Sequence, residues 1–173
     1  MGNKEKVFGQ KEPGADYISR FGAYVVIPNE HQQVILVQAP NGAFFLPGGE
    51  IEPGESKEQT IKRELVEEVG FAGKIASYLG EAVDYFYSRH RETYYHHPAY
   101  FYLMTDWQKI GEPTEQHNQL SWHTPEEAIH LLKRGSHAWA VKQWVNQKTT
   151  IMHKGSDRCL FYSFILVHLT HSH

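Results

Sequence analysis

Hydrophobic and polar positions divide the chain into strand-like runs and three helical ones. After a polar leader over residues 1–16, "YISRFGAYVVIPNEHQQVILVQAP" reads as two strands, about 17–27 and 33–39, joined by a turn at "PNEHQ". "GAFFLPGG" reads as a short strand ending in a Pro and Gly break. Residues 56–69 carry the first helical pattern. Ile61, Leu65 and Val69 recur at helical spacing, Ser56 and Gln59 form a capping box, and Gly70 supplies the stop. Two aromatic-rich strands follow, "KIASYLGEAVDYFYS" and "TYYHHPAYFYLMT", separated by the charged turn "RHRE". "DWQKIGEPTEQHNQ" reads as a loop and "LSWH" as a short strand. Thr124, Pro125 and Glu127 then open a second helix, and Ser136 caps a third over "HAWAVKQWV".

This order predicts one mixed α/β (α+β) domain over residues 17–147, with one helix near its middle and two toward its end. Residues 148–173 form a C-terminal extension. Its apolar run "RCLFYSFILVHLTHSH" leaves three readings open: an added strand, a contact surface that would support a homodimer, or a poorly ordered tail.

A length of 173 residues suits a single domain with a substantial core. The net charge of −3 gives no general attraction to polyanions and argues against a nucleic-acid polymer as partner. Cys159 is the only cysteine, so no internal disulfide is possible. No run resembles a secretory signal or is long enough to span a bilayer, and Lys6 stands where a myristoylation motif wants Ser or Thr. The expectation is a cytoplasmic protein with no membrane association.

The chemistry is concentrated in "RELVEEVGF", residues 63–71. Spacings of three and four place Glu64, Glu67 and Glu68 on one helical stripe beside the apolar one, where they repel one another. Taken alone, such a stripe is most simply a solvated face, with Lys57, Lys62 and Arg63 nearby. A divalent cation would instead turn the repulsion into coordination. Phosphate-loop, HExxH and GxSxG patterns are absent from the sequence. His96 and His97 are adjacent on a strand and point to opposite faces, so they do not share an ion. Tyr85, Tyr87, Tyr94, Tyr95 and Tyr100 offer rings that could stack on a base or fill the core, and Trp122 reads as packing.

Extended to residues 48–71, "GGEIEPGESKEQTIKRELVEEVGF" resembles the signature of the Nudix (MutT-like) hydrolases. That signature is G, five residues, E, seven residues, then REUxEExGU with U apolar. Gly49, Glu55, Arg63, Glu64, Leu65, Glu67, Glu68, Gly70 and Phe71 match it without departure. The resemblance implies a Nudix-type α/β/α sandwich with a mixed β-sheet. It also implies a Mg²⁺- or Mn²⁺-dependent enzyme that cleaves a pyrophosphate bond in a nucleoside diphosphate linked to another group. Glu64, Glu67, Glu68 and the Gly48 carbonyl are the implied metal ligands, with Glu55 and Arg63 supporting them. For the group that activates water, the family leaves a choice between a helix glutamate and a distant loop carboxylate. Glu112 and Glu115 lie in a suitable loop, and Glu115 is preferred. Gly49 and Tyr87 are the expected substrate contacts, Tyr87 by its distance past the signature. The small-molecule nucleotide favoured is a nucleoside triphosphate or a dinucleoside polyphosphate. The alternative is a catalytically weak module that kept the fold to sense a nucleotide.

Overall fold

The computed structural model describes residues 5–156. In chain order the elements are β1 (Val7–Phe8), β2 (Tyr17–Ser19), β3 (Gly22–Val26), β4 (Val34–Gln38), β5 (Phe44–Phe45) and β6 (Gly48–Glu50). Helix α1 (Lys57–Glu64) follows, continued by a π-helical turn (Leu65–Val69). Then come β7 (Phe71–Ser88), β8 (Thr93–Lys109), β9 (Gln119–His123), α2 (Pro125–Leu131) and α3 (Gly135–Ser156).

A six-stranded mixed sheet runs β1-β7-β8-β3-β6, with β2 also on β8, and a three-stranded sheet runs β5-β4-β9. The long β7–β8 hairpin is antiparallel, whereas β3 lies parallel to β8 and antiparallel to β6. Alternation along β3 divides the core in two, because successive strand side chains leave opposite faces. Ala23 and Val25 pack with Ile61, Leu65 and Val69 of the glutamate helix. Val26 packs on the other side with Ala128 of α2 and with Ala140, Val141 and Trp144 of α3. The result is the three-layer α/β/α sandwich with helices on both faces.

Local differences from the sequence reading have identifiable causes. The strand expected over 17–27 is interrupted at Arg20 and Phe21, yet the Arg20 N–H still donates to the His96 carbonyl at 2.9 Å, so β2 and β3 track the same neighbour. The chain does not stop at the Pro and Gly break. Gly48, at φ 133°, lets it resume as β6 against β3. The loop expected from Asp106 begins later, since β8 continues to Lys109. The leader contributes β1, parallel to β7. Ser136 is not a cap but the second residue of α3: the buried carboxylate of Asp84, reaching from β7, accepts from both its N–H and its hydroxyl. Helix α3 extends well past residue 145, and the apolar run of the extension lies outside the described residues.

Candidate active site

Helix α1 starts where the sequence says it should. The Ser56 hydroxyl accepts from the Gln59 N–H at 3.2 Å, and the Gln59 side chain accepts from the Ser56 N–H at 2.8 Å. Its regular winding ends at Glu64. Gly70, in the left-handed region at φ 72°, donates its N–H to the Leu65 carbonyl at 2.8 Å, five residues back. This wider π turn buries both Leu65 and Val69 and carries Glu67 and Glu68 on the same segment.

Arg63 organises the carboxylates around it. Its guanidinium donates to both oxygens of Glu55 at 2.7 and 3.1 Å, to Glu64 at 2.8 Å, to Glu67 at 3.2 Å and to the Glu50 carbonyl at 3.1 Å. These bonds, with one from the Thr60 hydroxyl, hold the Glu55 carboxyl down at about 2. Glu55 is thereby held as an anion, and Glu55 and Glu64 are tethered to one cation, which sets their orientation.

Glu68 has a different environment. Its carboxylate accepts the Gly48 N–H at 3.0 Å, which ties the glutamate helix to β6. Burial pushes its carboxyl up to about 8, and the nearby charges of Glu64, Glu115 and Glu67 push the same way. Burial likewise raises Glu64 despite Arg63. The loop after β8 closes over this group: the Glu115 N–H donates to the Glu67 carbonyl at 2.8 Å, and Asn118 donates to the Glu115 carboxylate at 2.9 Å. Glu115, Trp122 and Leu120 line a cavity of about 540 Å³ here. Glu112 lines the same cavity and pairs with Lys109.

Gly49 packs directly on Glu64. A Cβ built there would fall 2.2 Å from a carboxylate oxygen of Glu64, so a side chain would displace that carboxylate. The fold thus brings together Gly48, Gly49, Glu55, Arg63, Glu64, Glu67, Glu68 and Glu115. Tyr87 is not among them. It is exposed and packs on Tyr94, and its neighbours Phe86 and Ser88 are the residues that turn to the opposite face.

That opposite face holds a second cavity, of about 230 Å³, which sequence reasoning missed because its parts come from four separate segments. Arg20, Tyr24, Glu50, Phe86, Tyr95 and Arg134 line it. Tyr24 is common to the two regions: burial raises its hydroxyl, the charges of Glu68 and Glu64 push the same way, and that of Arg134 opposes them. Its hydroxyl also lies 3.1 Å from His97 Nε2.

Hard oxygen donors crowded into a partly buried cluster suit a divalent cation. Among the described residues, no three acidic, imidazole or thiol side chains come together as a group that could hold a metal ion as they stand. The mutual repulsion recorded at Glu64 and Glu68 is what such a charge would relieve.

A glutamate helix and a glycine-bearing strand on a mixed sandwich define the Nudix class of site. The NUDIX domain matches residues 19–145, and the chain belongs to that family. It is 33% identical over 109 residues to an 8-oxo-dGTP diphosphatase of Haemophilus influenzae, covering 60% of this chain and 74% of that protein. It is 40% identical over 60 residues to a putative 8-oxo-dGTP diphosphatase of Bacillus subtilis, covering 34% of this chain and 40% of the relative. An ADP-ribose pyrophosphatase of Methanocaldococcus jannaschii shares 38% over 58 residues, 31% of this chain and 34% of that one. Among solved structures, the Escherichia coli ORF135 protein superposes with a TM-score of 0.59 at 20% identity, over 78% of this chain and 94% of that one. The MutT protein of Bacillus halodurans superposes at 0.56 and 23% identity, over 71% and 80%. These two likenesses concern the fold.

Proposed function

We propose that the protein is a divalent-metal-dependent pyrophosphohydrolase acting on a nucleoside diphosphate linked to a further group, with a nucleoside triphosphate or dinucleoside polyphosphate favoured. The observation that carries this reading is the crowding of Glu64, Glu68 and Glu115 around a helix whose Arg63 already fixes Glu55 and Glu67. Glu64, Glu67, Glu68 and the Gly48 carbonyl would hold Mg²⁺ or Mn²⁺, and the ion, when bound, would polarise phosphate oxygens and acidify a water. Arg63 keeps Glu64 and Glu67 aimed at the phosphates. Glu115 takes the proton from the attacking water, its loop held against the helix through the Glu67 carbonyl. The diphosphatase name of the Haemophilus relative and the pyrophosphatase name of the Methanocaldococcus one support phosphoanhydride hydrolysis as the reaction.

A panel of nucleoside triphosphates, dinucleoside polyphosphates and ADP-ribose, assayed with Mg²⁺, tests the reading. Running it in ¹⁸O-labelled water shows which phosphorus is attacked. Metal-dependent release of phosphate or pyrophosphate from at least one nucleotide is expected. Binding of nucleotides without turnover of any would instead favour the sensing module.

A further inference from the structure

The chain crosses from the three-stranded sheet to the six-stranded one over Leu46 and Pro47, between β5 and β6. A backbone at such a crossing has left one ladder and not yet joined the next, so its polar groups need other partners. The Pro47 carbonyl accepts the Val25 N–H at 2.9 Å, and proline has no N–H to satisfy. The Leu46 N–H goes to a side chain far along the sequence, Nδ1 of His137 in α3, at 3.1 Å. That bond fixes the tautomer. With Nδ1 as acceptor, the proton of the neutral ring sits on Nε2, which is buried and meets no hydrogen-bond partner among the described residues. Burial keeps the ring neutral. An orphaned buried donor is costly and an apolar ring of similar size would avoid it, so what the imidazole supplies is the acceptor for Leu46.

We infer that His137 is a positioning residue for Gly48: by accepting from Leu46 and packing on Tyr24, it holds Gly48 where its carbonyl can serve as a metal ligand. This rests on the hydrolase reading, which gives that carbonyl its role. His137 grips both sides of Gly48. Along the chain it holds Leu46, just before the glycine. Across the sheet its ring centre lies 4.3 Å from that of Tyr24, the residue paired with Gly48 in the β3–β6 ladder. Tyr24 and Gly48 are in close contact, since a Cβ built on Gly48 would fall 2.8 Å from Cδ1 of the Tyr24 ring. The Tyr24 hydroxyl lies 3.1 Å from His97 Nε2, so two histidines hold that ring. Gly48 passes its placement on, because its N–H donates to the Glu68 carboxylate at 3.0 Å. A displaced Gly48 would therefore move a carbonyl and a carboxylate together. Mg²⁺ demands near-ideal octahedral geometry, so a small displacement of its ligands weakens it. His137 itself is buried and lines neither cavity beside the cluster, so it acts through Gly48 and not on the substrate.

Mn²⁺ binding to the intact, nucleotide-free protein, followed by electron paramagnetic resonance, tests this apart from turnover. His137→Phe keeps a ring beside Tyr24 and removes the acceptor. Its Mn²⁺ affinity should fall about tenfold while its melting temperature stays within a few degrees of the wild type. His137→Asn, whose Oδ1 can accept from Leu46, should bind Mn²⁺ within about threefold of the wild type. Unchanged affinity in His137→Phe would overturn the inference, and so would equal losses in the two variants. The wild type gives a reading that needs neither variant to fold: added Mg²⁺ should shift the nuclear magnetic resonance signals of the Leu46 amide and of His137 Nδ1. Unmoved signals would overturn the inference too. A wild type that binds Mn²⁺ but hydrolyses no nucleotide would contradict the hydrolase reading and leave the placement of Gly48 standing. A wild type that binds no Mn²⁺ would remove both.

Discussion

Gly48 and Gly49 are neighbours whose glycine identity serves different ends. At Gly48 the backbone has φ 133°, and a Cβ would meet the Ala23 carbonyl oxygen at 2.2 Å, so both conformation and sheet contact exclude a side chain. At Gly49 the obstacle is only the tip of Glu64. Gly48→Ala should therefore lower the melting temperature, costing about 1–3 kcal/mol from the backbone conformation alone. Gly49→Ala should melt within a few degrees of the wild type while losing activity on the order of a hundredfold, as a displaced carboxylate misplaces the reacting groups. Thermal unfolding and steady-state kinetics on both variants separate the two. Equal stability loss with retained activity at position 49 would refute the assignment of that contact.

At the scale of elements, the glutamate helix was legible in the sequence nearly to its last residue, because capping box, apolar spacing and C-terminal glycine are all local signals. Its π turn was not, since the spacing of Leu65 and Val69 fits either winding and only the Gly70 to Leu65 bond decides. Helix α3 shows the other kind of miss. Ser136 looks like a cap from its neighbours, but the carboxylate that caps it comes from Asp84, 52 positions away. Burial raises the Asp84 carboxyl, and the Ser136 hydroxyl and N–H work against that. Asp84→Ala should cost about 0.5–2 kcal/mol by removing the cap, visible as reduced denaturation midpoint and faster amide exchange in the first turn of α3. Amide exchange confined to β7 would show that the bond does not hold the helix. The Arg134 cavity was illegible for a similar reason, because no sequence spacing relates Arg20, Glu50, Phe86 and Arg134. Phe86 and Tyr87 illustrate it in miniature: distance from the signature points to Tyr87, while the pleat of β7 turns Phe86 inward.

For the whole molecule, burial of neutral histidines between the sheet and α3 takes stability away in acid, while the raised Glu68 carboxyl, which binds its proton sooner in the folded state, works the other way. Burial, then the charge of Arg134, pushes His97 down to about 4. Around it stand Tyr24 of β3, Arg20 just after β2, His96 of β8, Arg134, and His137 of α3, which burial also depresses. In the unfolded chain a histidine takes up its proton near 6.5, so the unfolded state binds more protons between that pH and about 4. The stability that neutral His97 contributes is thus fully present above pH 6.5 and is lost as pH falls through that window, by on the order of 3 kcal/mol. Urea denaturation of the wild type and His97→Gln at pH 7 and pH 4.5 isolates this contribution: the change in stability between the two pH values should be more favourable to acid in the variant, and an identical change in both proteins would contradict it.

The family match over residues 19–145 spans α1 and its carboxylate cluster. The measurement that tests its role most directly is turnover of a nucleoside triphosphate with Mg²⁺ by Glu67→Gln, alongside its melting curve. The account predicts a folded variant whose kcat is lower by about a hundredfold or more. A folded Glu67→Gln protein with wild-type turnover would contradict it.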